Sequence, residues 1–129
     1  AYTLLTTAGD YDKFIQEGLI KGKGLKNKTH ELFFSVQGNA DRLVKPSSAD
    51  PYIDWGLGIG LQKNEIGYAV WHWGDNGPFK CFFMAFPQRK ESLIVMTNSQ
   101  NATDAYEDIL RLFFGHLGKG RRIGNTLSV

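Results

Sequence analysis

The apolar positions of this chain change their period twice. From Tyr11 they recur at i, i+3, i+4 and i+8 (Tyr11, Phe14, Ile15, Leu19), which is one face of a helix. Thr7 stands where an N-cap belongs. Asp10, three residues on, completes a capping-box-like pair and suits the positive end of the helix dipole. Gly22 and Gly24 end this helix, and Asn27 is expected to cap a second, shorter one carrying Leu32, Phe33 and Val36 and stopping near Gly38. Residues 38–51 hold turn chemistry without periodicity and read as a surface loop.

From Tyr52 the period falls to two. Trp55-Gly-Leu57-Gly-Ile59-Gly-Leu61 alternates large apolar residues with glycine, which predicts one strand with a face left bare for close packing. Tyr68–Trp73, Phe79–Phe86 and Leu93–Thr97 follow as three more strands. Turns at Lys63-Asn64-Glu65, Asp75-Asn76-Gly77-Pro78 and Pro87–Lys90 separate them. Short turns between successive strands imply an antiparallel meander. The helical period then returns. Asn101 is the expected cap, Tyr106, Ile109, Leu110, Phe113 and Phe114 form the apolar face, and Gly115 takes the C-cap. The pattern predicts an α+β fold: an antiparallel sheet of about four strands, two N-terminal helices, and a C-terminal helix packed on one sheet face.

Composition narrows the function classes. At 129 residues and 42% apolar, the chain has enough material for one core. No apolar run approaches the roughly 18 residues of a spanning helix, and no signal-like segment opens the chain. The start at Ala1 fits a processed product or an excised piece. Fifteen basic residues against thirteen acidic give a net charge of +2, too small a surplus to point to a nucleic-acid partner. The one concentrated basic stretch, Lys119-Gly-Arg121-Arg122 after His116, reads as a solvated tail over residues 116–129.

Cys81 is the lone cysteine, so neither an intrachain disulfide nor a CxxC motif is available. His30, His72 and His116 show no metal-ligand spacing, and neither a metal nor a cofactor is expected. Gly56-x-Gly58-x-Gly60 lacks the third glycine and the following helix of a dinucleotide fingerprint. Phe79-Lys80-Cys81-Phe82-Phe83 interleaves rings with a single base, and its aromatics are better placed in a core than on a stacking platform.

The stretch with chemical content is Val70-Trp71-His72-Trp73-Gly74-Asp75-Asn76-Gly77. Alternation puts His72 on one face with Val70 and Gly74, and Trp71 with Trp73 on the other. A glycine two residues after a strand histidine leaves the backbone open to a ligand, whose carbonyl or carboxylate the imidazole can orient or polarise. Taken with Trp55–Gly60, Pro78-Phe79 and Leu93–Asn98, this segment resembles the C-terminal portion of the serine β-lactamase and penicillin-binding-protein-like hydrolases, in the class C and DD-peptidase branch. The opening Leu5–Phe14 resembles a helix start of the same family.

The resemblance covers residues 1–115 and implies a partial β-lactamase-like fold. His72-Trp73-Gly74 would be that family's third catalytic motif in its His-x-Gly form. Asp75 would offer its backbone N–H as half of an oxyanion hole. His72 would position the substrate or the proton relay, with Trp73 and Asn76 on the substrate side. The nucleophile motif Ser-x-x-Lys is absent, since no serine has a lysine three residues on. The second motif, Tyr-x-Asn or Ser-x-Asn, is also expected to be missing, since no tyrosine has an asparagine two residues on. The resemblance therefore implies the C-terminal part of a longer hydrolase, inactive alone. The whole protein would act through an acyl-enzyme on an amide or ester, a β-lactam or a peptidoglycan-like D-alanyl peptide, in the cell envelope. The alternative is a non-catalytic interaction module that self-associates or captures a strand through an open sheet edge.

Overall fold

Thr7 caps the first helix as its position predicts. Its Oγ1 accepts from the Asp10 N–H at 3.2 Å and donates back to the Asp10 carboxylate at 3.1 Å. The computed structural model describes residues 4–39 and 50–115. Helix α1 spans Ala8–Phe14 and runs on into a π-helical stretch, Ile15–Ile20, which buries Ile15 and Leu19. Helix α2 (Asn27–Phe33) is tied back to it by His30, whose Nε2 donates to the Leu19 carbonyl at 2.7 Å. Asn27 does not cap α2. It is the first helical residue, and Lys26 holds the cap position with no side-chain bond.

The sheet has six antiparallel strands in sequential order, two more than the pattern predicts. They are β1 (Gly38–Asn39), β2 (Ile53–Trp55), β3 (Gly60–Asn64), β4 (Gly67–Asn76), β5 (Phe79–Phe86) and β6 (Glu91–Thr97). The strand expected from Trp55 to Leu61 is in fact a hairpin. Gly56 N–H donates to the Ile59 carbonyl at 2.8 Å, turning the chain between β2 and β3. The glycines do serve close packing, but across this hairpin. A Cβ on Gly56 would lie 2.2 Å from the Phe33 carbonyl oxygen, and one on Gly60 would lie 2.3 Å from the Trp71 ring. The expected loop at 38–51 begins as β1 and ends in a short 3₁₀ turn, Asp50–Tyr52; its residues 40–49 lie outside the described residues, as does the basic tail.

Helix α3 (Tyr106–Phe114) follows a one-turn 3₁₀ segment, Ala102–Ala105. Asn101 precedes that turn without a side-chain cap bond; its own N–H reaches Ser99 Oγ at 3.3 Å. Tyr106, Leu110 and Phe114 form the buried face of α3, against Phe82, Met84, Phe86, Trp71 and Ile53. The opposite sheet face presents Leu61, Val70, Phe83 and Ala85 to Ile15 and Leu19. The architecture is therefore α+β, an open antiparallel sheet with helices on both faces. Each large side chain fully buried in it contributes roughly 1.5–3 kcal/mol. Among the described residues, no helix is long and apolar enough to cross a membrane.

Candidate functional site

Strand β4 outruns its neighbour on one side. It pairs with β3 only from Gly67↔Asn64 to Trp71↔Gly60, because β3 starts at the hairpin glycine. From Val70 to Asn76 it pairs with β5, down to Asn76↔Phe79. His72–Asn76 therefore has a strand partner on one edge and none on the other among the described residues. Strand alternation sends every second N–H and C=O of that segment towards the bare edge.

The five candidate residues divide between the two faces of this strand. His72, Gly74 and Asn76 share the α1 face, and Trp73 and Asp75 share the α3 face. His72 is exposed, and its Nδ1 lies 2.8 Å from the Trp73 carbonyl oxygen. A carbonyl only accepts, so Nδ1 carries a proton here. In the neutral ring that leaves the lone pair on Nε2, which has no protein partner among the described residues. Trp55 packs edge-on to the imidazole, with ring centroids 6.1 Å apart. Trp73 is half-buried and packs against the α3 core, facing away from His72. At Gly74 an added Cβ would meet Cys81 Sγ at 2.9 Å, so the glycine keeps this part of the strand low.

Asp75 fixes the end of the strand through its side chain. Its carboxylate pairs with the ammonium of Lys80, its cross-strand partner, and accepts from the Gly77 N–H at 3.0 Å. The Lys80 hydrogen bond is the main reason the Asp75 carboxyl is held below its usual range, and the Gly77 N–H adds to it. Nearby on the same face lies Tyr106, buried to 1% exposure, with no hydrogen-bond partner for its hydroxyl. Burial pushes this phenol up to about 12, helped by Cys81 and Asp75.

On the other face a cleft of about 370 Å³ opens between α1 and the β2–β3 turn, and His72 is part of its wall. Tyr11, Phe14, Phe33, Leu57 and Phe83 are among its apolar lining residues. Tyr11 lies 5.7 Å from Phe14 and 6.0 Å from Phe83 between ring centroids. Burial raises the Tyr11 phenol above its ordinary value. The helix pattern marks Tyr11 and Phe14 as one apolar face. The residues that complete the cleft come from segments distant in sequence, and no local signal joins them.

Against the expectation that a Ser-x-Asn triplet is missing, Ser99-Gln100-Asn101 has that spelling. It lies in the turn after β6 and does not line the cleft. Among the described residues no group of three or more His, Cys, Asp or Glu converges as a metal site. Comparison with protein-family models, with curated proteins and with solved structures finds no match to this chain.

Proposed function

We propose that the chain is the C-terminal portion of a serine hydrolase of the β-lactamase and penicillin-binding-protein type, acting through an acyl-enzyme. The observation that carries this reading is the bare edge of β4 from His72 to Asn76, beside a ligand-sized cleft that contains His72. A substrate backbone can lie along such an edge as an added strand. Gly74 lets it approach closely, the Asp75 N–H stabilises the developing oxyanion, and His72 Nε2 accepts a proton or hydrogen bond from the bound group. The nucleophile would come from a preceding part of the protein, and the same reading sets the whole protein in the cell envelope.

The test compares the 129-residue chain with the protein extended by its preceding coding sequence. The chain alone should neither turn over nitrocefin or a p-nitrophenyl ester nor react with a fluorophosphonate probe. The extended protein should do both, with the label outside these residues. In the extended protein, Asp75→Pro removes the backbone donor and should lower kcat by about 10²–10³, whereas Asp75→Ala keeps the N–H and should cost far less. Turnover by the chain alone, or equal activity of the proline and alanine variants, would refute the assignment.

A second reading, a non-catalytic interaction module, is favoured by the apolar residues exposed on the N-terminal side: Leu5 at 93%, Leu4 at 63%, Phe14 at 59% and Val36 at 52%. It predicts concentration-dependent association in sedimentation. A monomer across the accessible range would argue against it.

A further inference from the structure

We infer that the cleft beside His72 receives the uncharged apolar acyl group of an ester or amide, in preference to an anionic substrate. This rests on the hydrolase reading and narrows its substrate class.

The argument begins with charge. A β-lactam nucleus and a D-alanyl peptide both present a carboxylate, and an anion taken out of water needs a cation or several donors to offset its desolvation. Among the described residues, no lysine or arginine lines the cleft. Lys80, the cation on the neighbouring strand, is on the other face of the sheet and already paired with Asp75. On the helical side, Lys13 and Lys21 are paired with Asp10 and Glu17, and Lys26 and Lys28 do not line the cleft.

What the cleft does offer is apolar surface with two polar groups. The Tyr11 phenol, protonated at neutral pH as tyrosines are, can donate to a neutral carbonyl. The His72 ring, with Nδ1 turned to the Trp73 carbonyl, presents Nε2 as its free position. An apolar lining with a few polar groups is the usual composition of a site for an uncharged ligand, and about 370 Å³ lies within the range of such sites. A phenyl or hexanoyl group fits that volume with room for water.

Position supplies the second argument. His72 belongs both to the cleft wall and to the bare edge of β4. A carbonyl held at that edge would place its acyl substituent in the cleft, without the substituent having to cross to the Trp73 face.

The experiment uses the 129-residue chain and a matched pair of probes, methyl benzoate and benzoate, with benzylpenicillin as a second anion. Methyl resonances of Ile15, Leu19 and Ile59 report on the cleft. Methyl benzoate should shift them saturably, and benzoate and benzylpenicillin should bind at least tenfold more weakly. Phe14→Lys places a cation at an exposed lining position and should weaken methyl benzoate about tenfold while strengthening benzoate. If its melting curve shows that Phe14→Lys fails to fold, Leu57→Lys, also exposed and lining, serves instead. Equal or tighter binding of the anions, shifts away from these methyls, or no saturable shift would overturn the inference. Because binding is read without turnover, its failure is distinct from that of the hydrolase reading. Fluorophosphonate labelling of the extended protein with no cleft binding overturns this inference alone. Cleft binding without labelling overturns the hydrolase reading and the acyl assignment with it.

Discussion

On the α3 face of the sheet, Phe82 meets Tyr106 at 4.3 Å and Phe86 meets Phe114 at 4.9 Å between ring centroids, and all four rings are buried. On the α1 face, Phe83 is buried, but Phe14 and Leu57 beside it stay exposed and a cleft remains between them. The α1 face also uses polar ties. Ser92 donates to the Asp12 carboxylate and accepts from Gln16 Nε2 at 2.6 Å, fixing the helix to β6. The contrast lies within one sheet. One face is closely packed, and the other leaves part of its apolar surface exposed around a cleft.

This contrast predicts graded effects of substitution. The largest is on the α3 face, where Phe86→Ala should cost about 3–5 kcal/mol in urea unfolding, because it leaves a cavity against Phe114. Next is Gly60→Ala, whose new Cβ has to displace the Trp71 ring. It should cost about 1–3 kcal/mol and alter tryptophan emission, and a neutral result would show that the hairpin yields.

Alkali should weaken the fold through its buried phenols, most of all Tyr106. Tyr106 holds its proton up to about 12 in the folded protein, against an ordinary value near 10, so between those values the folded state binds more protons. Stability should therefore fall as pH rises through this window, and Tyr106→Phe should reduce the dependence to the part left by Tyr11 and Tyr68, whose phenols burial also raises.

Asp75 gives the opposite sign. Its carboxyl is held below the ordinary range, so its contribution is present above about pH 4 and is lost as pH falls through the folded-state value. Lys80→Met should move the Asp75 titration, followed by carboxyl NMR, back towards the ordinary range. No movement would mean that the pair does not hold in solution. The smallest effect belongs to the open face. Phe14→Ala should change stability by no more than about 0.5 kcal/mol, since the ring is mostly exposed.

Much of the fold was legible because its signals are local. The Thr7–Asp10 cap, the α1 face, the turns around Asp75–Pro78 and the Tyr106–Leu110–Phe114 stripe each depend on residues within one or two helical turns. The failures have a common cause. Asn27 and Asn101 have cap chemistry, yet the helices begin where a preceding turn sets the backbone, at Asn27 itself and after a 3₁₀ segment. Gly56 to Gly60 alternates as a strand would, but the Phe33 carbonyl and the Trp71 ring, both distant in sequence, approach those glycines and favour a hairpin.

The candidate site divides in the same way. Alternation placed His72 and Gly74 on one face and Trp73 on the other, and the structure agrees. It could not show that Trp73 would pack under α3, or that Phe14, Leu57 and Phe83 would line one cleft with His72. Nor could it show that β3 would start late enough to leave His72–Asn76 bare on one edge.

Sequence dictated the Thr7 cap, the helices, the three long strands β4 to β6 and the faces their side chains occupy, because those follow from backbone period and near-neighbour hydrogen bonds. The bare strand edge, the cleft and the shifted Tyr106 and Asp75 were decided only in three dimensions. Strand length is set by its partner, and burial and charge by whatever packs alongside.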